Sequence, residues 1–230
     1  MEVLNILMSD KGNTIIITGV LILLLFVVFT VIVAVVDKAP IGPLDSVVGL
    51  STINGAFRDY VGGNRVAYKI SEIMGLAAIP VAGSFALLGT YQLITRRSLK
   101  AVDGIIILLG GLYIAVSTFY FIFVKMVINY RPIIEEAGNG LEASYPSSHT
   151  LMALCIYISA AMAVGWYIKG NAGKTISAIL IIMAIVAVVS RTLSGVHWIT
   201  DITGSLILSS AILTIFAGGI CSLRRRIHSL

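Results

Sequence analysis

Between two long apolar stretches the chain carries Ser190-Arg191-Thr192-Leu193-Ser194-Gly195-Val196-His197-Trp198-Ile199-Thr200-Asp201. Ionisable side chains are costly at the edge of a hydrocarbon layer, so this run calls for a chemical reason. His197 and Asp201 are four residues apart, on one face of a helix, where a carboxylate can hold an imidazole in one tautomer. Arg191 supplies a permanently charged fork suited to phosphate oxygens. A histidine between membrane spans can also serve a proton relay. The carboxylate at i+4 and the arginine six residues upstream favour chemistry on an anion.

Two further patches carry related groups. Lys125-Met126-Val127-Ile128-Asn129-Tyr130-Arg131-Pro132 closes one apolar stretch, where proline ends the helix and leaves Arg131 at its surface. Taken alone, Lys125 and Arg131 would pass as snorkelling anchors. Tyr145-Pro146-Ser147-Ser148-His149-Thr150 opens the next stretch. Hydroxyls and backbone N–H groups at a helix start form an anion site, although a serine there is most simply an N-cap. His149 adds a proton donor beside that candidate pocket.

The elements that must position these groups are membrane helices. Of 230 residues, 58% are hydrophobic and 12% charged, a composition of the membrane class. The net charge of +5 does not indicate nucleic acid, because Arg96, Arg97 and Lys100, and again Arg224, Arg225 and Arg226, cluster between or after apolar spans. Six segments reach the roughly 20 residues that a crossing requires. They run from Thr14 to Val36, Ile70 to Thr95, Asp103 to Val127, His149 to Ile168, Thr175 to Ser194 and Thr200 to Ser222. The first is read as a retained helix, because its apolar run exceeds that of a signal peptide. The expected fold is therefore all-α, a six-span polytopic membrane protein forming a single domain over residues 1–230.

Positive-inside bias puts Lys11, Arg96, Arg97, Lys100, Lys169, Lys174 and the last three arginines in the cytoplasm. Both termini are then cytoplasmic. By parity, the connections after spans three and five share the outer face, and they hold His149 and His197. Cys155 and Cys221 fall at different depths, so no disulfide is expected. The long first outer connection, Asp37 to Lys69, spaces Val47, Leu50, Ile53 or Asn54, Phe57 and Val61 helically. An amphipathic interfacial helix and a lid packed on the bundle are equally good readings.

With all three patches in place, the chain resembles the type-2 phosphatidic acid phosphatase superfamily of integral membrane lipid phosphatases. Its signatures are K-x6-R-P, P-S-G-H and S-R-x5-H-x3-D. The third is complete, from Ser190-Arg191 through His197 to Asp201. In the second, Ser148 stands where the signature has glycine, which would strain a positive φ but not a helical one. The first is one residue short. At about 100° per residue, Val124 occupies the strict register, and Lys125 lies roughly 120° from Arg131.

The resemblance implies an active site at the extracytoplasmic membrane face and a motif-bearing core over about 101–222. It implies a metal-independent phosphohydrolase without cofactor, acting on a lipid phosphate or pyrophosphate drawn from surrounding membrane lipids. Undecaprenyl pyrophosphate, phosphatidylglycerophosphate and phosphatidate are the candidate classes, and the cytoplasmic membrane of a prokaryote the expected location. The carried-over roles are catalytic for His197, His149 and Asp201, and phosphate-binding for Arg131, Arg191, Ser147, Ser148 and Lys125. The sequence offers no dense carboxylate cluster or Cys/His spacing for a metal. A lipid phosphotransferase would use the same phosphohistidine, a vanadium haloperoxidase shares the signatures without six spans, and a proton-coupled transporter remains a remote alternative. Glu135, Glu136 and Glu142 sit between the first two patches; a solvated acidic loop is the simplest reading, and discouraging bulky anionic headgroups is the alternative.

Overall fold

The computed structural model describes residues 2–134 and 140–228. Glu135 and Glu136 lie outside the described residues. Among these residues the structure is helical: α1 (Glu2–Val35), α2 (Ser51–Val61), α3 (Arg65–Arg96), α4 (Gly104–Lys125), α5 (Ser148–Tyr167), α6 (Gly170–Leu193) and α7 (Ile199–His228). All but α2 contain a stretch long and apolar enough to cross a membrane. Their outward surfaces are hydrophobic, as at Leu21, Leu24 and Val28 of α1 or Ile182 and Ile185 of α6. Lipid-facing surfaces have that character, because only backbone satisfied within each helix tolerates hydrocarbon.

The most extensive helix pair is α1 against α7. It depends on small residues. A Cβ added at Gly19 would come within 2.9 Å of the Ile215 backbone nitrogen, and one at Gly218 within 3.0 Å of the Gly12 carbonyl. Without a hydrophobic driving force between helices in lipid, such close backbone approach supplies the dispersion contact. Inside the bundle, Phe26 of α1, Phe123 of α4 and Tyr145 stack around one another, and the Tyr145 hydroxyl pairs with Thr30 Oγ1 at 2.8 Å.

Three features of these helices matter for the site. Helix α3 starts at Arg65 rather than Ile70, capped by Asn64, whose side chain accepts from the Val66 and Ala67 N–H groups. Its first turns therefore continue above the apolar run. Helix α4 ends at Lys125, well before Pro132. The chain then bends at Met126 and Ile128 on its way to Tyr130, which bridges to Ala143. Ser148 is the first residue of α5, in helical conformation, so the position does not require glycine.

The first connection does contain a helix, α2, and its inward face is polar. Ser51 and Asn54 are buried, whereas Val47, Ile53 and Tyr60 are exposed. Asn54 accepts from the Thr200 N–H at 3.2 Å and donates to Thr200 Oγ1 at 3.0 Å, satisfying an amide at the start of α7 that has no intrahelical acceptor. Arg58 donates to the Gly195 carbonyl at 3.1 Å and lies over the Trp198 ring. The helix thus clamps the turn between α6 and α7. Asn54→Ala should cost about 1–3 kcal/mol, the penalty of an orphaned buried amide. A thermal melt in detergent reads that loss, and an unchanged melting temperature would contradict the clamp.

Candidate active site

The three motif patches meet at one end of the bundle. Their convergence rests on the Ser194–Trp198 turn. Gly195 has φ +71°, and a Cβ there would lie 2.3 Å from the Gly62 carbonyl, so both conformation and space demand glycine. The turn delivers Trp198 as the residue before α7. Asp201, three residues on, reaches back to accept the Trp198 N–H at 2.9 Å, the carboxylate half of a capping box. The same oxygen, Oδ2, lies 3.4 Å from His197 Nδ1. One carboxylate therefore starts the helix and orients the imidazole. The Trp198 indole N–H donates to the Tyr130 carbonyl at 2.7 Å, tying this turn to the segment that carries Arg131.

These partners define the state of His197. Nδ1–H donates to a carboxylate, and Nε2 faces the Arg191 Nη2 at 3.3 Å. Arginine can only donate, so Nε2 presents its lone pair. Burial, followed by the positive charges of Arg191 and Arg131, holds the His197 pKa well below its ordinary 6.5. A neutral imidazole with an outward lone pair and a carboxylate behind it is equipped for nucleophilic attack.

A cavity of about 450 Å³ opens onto His197. Arg131, Glu142, Tyr145 and Ser148 also line it, and Phe119, Tyr120, Phe123 and Val124 give it an apolar wall on α4. Arg131 is fixed there by its N–H to the Glu142 carbonyl at 2.9 Å and by an ion pair between Nε and the Glu142 carboxylate at 3.4 Å. The site thus combines a polar end with an apolar flank.

The remaining expected residues are distributed as follows. Arg191 is fully buried, its Nη1 donating to Glu72 at 2.8 Å. His149 Nε2 is 3.4 Å from the same Glu72 oxygen. Ser147 does not line the cavity: its hydroxyl pairs with Thr150 Oγ1 as the α5 N-cap, and its N–H donates to the Asp201 carbonyl. Lys125 is exposed at the end of α4, and its neighbour Val124 lines the cavity instead. Because α4 ends at Lys125, no helical register relates that residue to Arg131.

Sequence reasoning missed Glu72 and Asn54. A lone glutamate two residues inside an expected span was a readable signal for the first. Asn54 carried none, since an asparagine in a loop is commonplace.

Comparison with known proteins supplies the family and the fold. The PAP2 superfamily profile matches residues 105–220, half of the chain, and covers all three patches. The chain belongs to the PAP2 superfamily. A solved structure with the same fold is a transmembrane PAP2-type phosphatidylglycerolphosphate phosphatase from Bacillus subtilis, with a TM-score of 0.58 and 16% identity over 87% of this chain and 93% of that one. No curated protein matches in sequence. The protein is thus an integral membrane member of a phosphatase family, and its all-α six-span architecture is that of a membrane PAP2 enzyme.

Proposed function

We propose that the protein hydrolyses phosphate from a membrane lipid phosphate or pyrophosphate through a phosphohistidine, without a metal. The observation that carries this reading is His197, buried, backed by Asp201, with Nε2 directed at Arg191. Nε2 attacks phosphorus as the ester or anhydride oxygen departs, and His149 gives that oxygen its proton. His149 then takes a proton from water, whose oxygen bonds to phosphorus as the N–P bond breaks, freeing both phosphate and His197. Asp201 stabilises the positive ring during the covalent stage. Arg131 and Arg191 bind the phosphoryl oxygens, joined by the α5 N-terminus at Ser148. Ser147 serves by joining α5 to α7, and Lys125 is left without a phosphate contact.

The apolar α4 wall beside the cavity favours a substrate with a hydrocarbon tail lying in the bilayer. Positive-inside bias favours an outward-facing site in a cytoplasmic membrane. The test is phosphate release from a panel of phosphatidylglycerophosphate, phosphatidate and undecaprenyl pyrophosphate, with and without EDTA. EDTA-resistant release is expected, and its absence across the panel would overturn the reading. An acceptor lipid in the same assay, with product analysis, separates hydrolysis from transfer.

The pH profile adds a second check. Attack needs neutral His197, so activity falls in acid as that group protonates. Its lowered pKa moves the acid limb below 6.5, leaving the nucleophile available between the two values. The His149 proton must still be present, so the profile should be a bell. An acid limb at or above 6.5 would contradict the buried, cation-flanked imidazole.

A further inference from the structure

Outside the motif-bearing half, α3 brings one stripe of side chains to the site. Tyr68, Ser71, Glu72 and Gly75 follow i, i+3, i+4 and i+7 spacing, which aligns them on one helical face. Each meets a motif residue. The Arg191 guanidinium lies 5.9 Å from the Tyr68 ring centre, and its Nη1 also donates to Ser71 Oγ at 3.3 Å. Glu72 Oε1 stands 2.8 Å from Arg191 Nη1 and 3.4 Å from His149 Nε2. One turn further, a Cβ at Gly75 would lie 3.0 Å from His149 Cδ2, so the imidazole rests against bare backbone.

A carboxylate at this place opposes the binding of a phosphate anion. It also neutralises a guanidinium whose side chain is 1% exposed, and a buried charge left alone is strongly unfavourable. The Arg191 fork is divided between the two tasks: Nη1 is held by Glu72, and Nη2 points at the His197 nitrogen. Strong binding of ground-state phosphate would not speed turnover and would retain the product, so a partial counter-charge beside the anion site suits an enzyme.

We propose that Glu72 is a positioning residue of this site, holding Arg191 and His149 toward the incoming phosphoryl group and restraining the site's affinity for phosphate. The kinetic half rests on the phosphohydrolase reading above. The affinity half rests on the Arg191–Glu72 pair alone.

The test measures inorganic phosphate binding by thermal stabilisation, together with kcat and KM for lipid phosphate. Glu72→Gln keeps the shape and removes the charge. Phosphate affinity should rise about 3- to 30-fold, because a carboxylate near the anion is gone. KM should fall with it, and kcat should fall about 10- to 100-fold as the two ligands lose their support. A merely structural role would lower kcat without tightening phosphate. Glu72→Asp, still charged, should keep the wild-type phosphate affinity while losing turnover, and it decides the matter if the glutamine variant does not fold. Gly75→Ala, pressing on His149 alone, should lower kcat and leave phosphate affinity unchanged. Unchanged or weaker phosphate binding in Glu72→Gln, or tightening in Glu72→Asp or Gly75→Ala, overturns the proposal. If the wild-type protein releases no phosphate from any lipid, the activity reading fails, and the binding measurements still decide Glu72.

Discussion

His197→Ala will reduce phosphate release by about 10³-fold or more, because the attacking atom, Nε2 beside Arg191, is removed. The side chain is 2% exposed and reached from the cavity, so water cannot easily take over its role as attacking atom. Asp201→Asn should cost about 10²- to 10⁴-fold, since an amide can donate to Nδ1 and hold the ring in the wrong tautomer. Asp201 also accepts the Trp198 N–H, so this variant should melt lower as well as react slower. In His149→Ala, attack outlasts hydrolysis if water activation suffers more, and an acid-labile labelled phosphoenzyme should accumulate. Near wild-type release from the His197→Ala protein would end the phosphohistidine mechanism. The measurement is phosphate released per enzyme under saturating lipid, with a melt to establish folding.

Arg191→Lys should lower kcat about 10²- to 10³-fold with the formal charge preserved. The reason is geometry. Arg191 uses Nη1 for Glu72 and Ser71 and keeps Nη2 for the reacting nitrogen. A lysine ammonium is a single point of charge and cannot span both directions as a planar fork does. It would settle on Glu72, the nearer anion, and leave the phosphoryl oxygens without their donor. The effect should therefore appear in kcat more than in the melting temperature. A lysine variant with wild-type turnover would mean that charge alone, not the divided fork, stabilises the transition state.

Much of the fold was legible in the sequence because apolar runs of membrane length report on themselves. Four of the six expected spans meet the observed helices to within five residues at either end, while α1 begins earlier, at Glu2, and α7 continues beyond the apolar run to His228. The end of α4 falls at Lys125, two residues before the expected end of that span, where the chain leaves the helix for the Tyr130–Ala143 bridge. Lys125 was a doubtful ligand from register alone, and Val124 takes the cavity wall. Ser147, expected at phosphate, caps α5, a role that any serine at a helix start can fill. The α2 segment was read through its apolar spacing, but its chemistry lies in Asn54 and Arg58, which hydropathy does not register.

The sequence by itself determined the family, the six spans, and the His197–Asp201 pair, because each is encoded within a few turns of chain. Helical periodicity places i and i+4 together wherever the helix sits. Tertiary structure alone decided which distant residues join them. Glu72 reaches Arg191 across 119 residues of chain, and Asn54 reaches Thr200 across 146. Nothing local selects those partners. They meet because α3 and α2 pack over the α6–α7 turn, and because a buried guanidinium and an uncapped helix start each leave a polar group that must be satisfied.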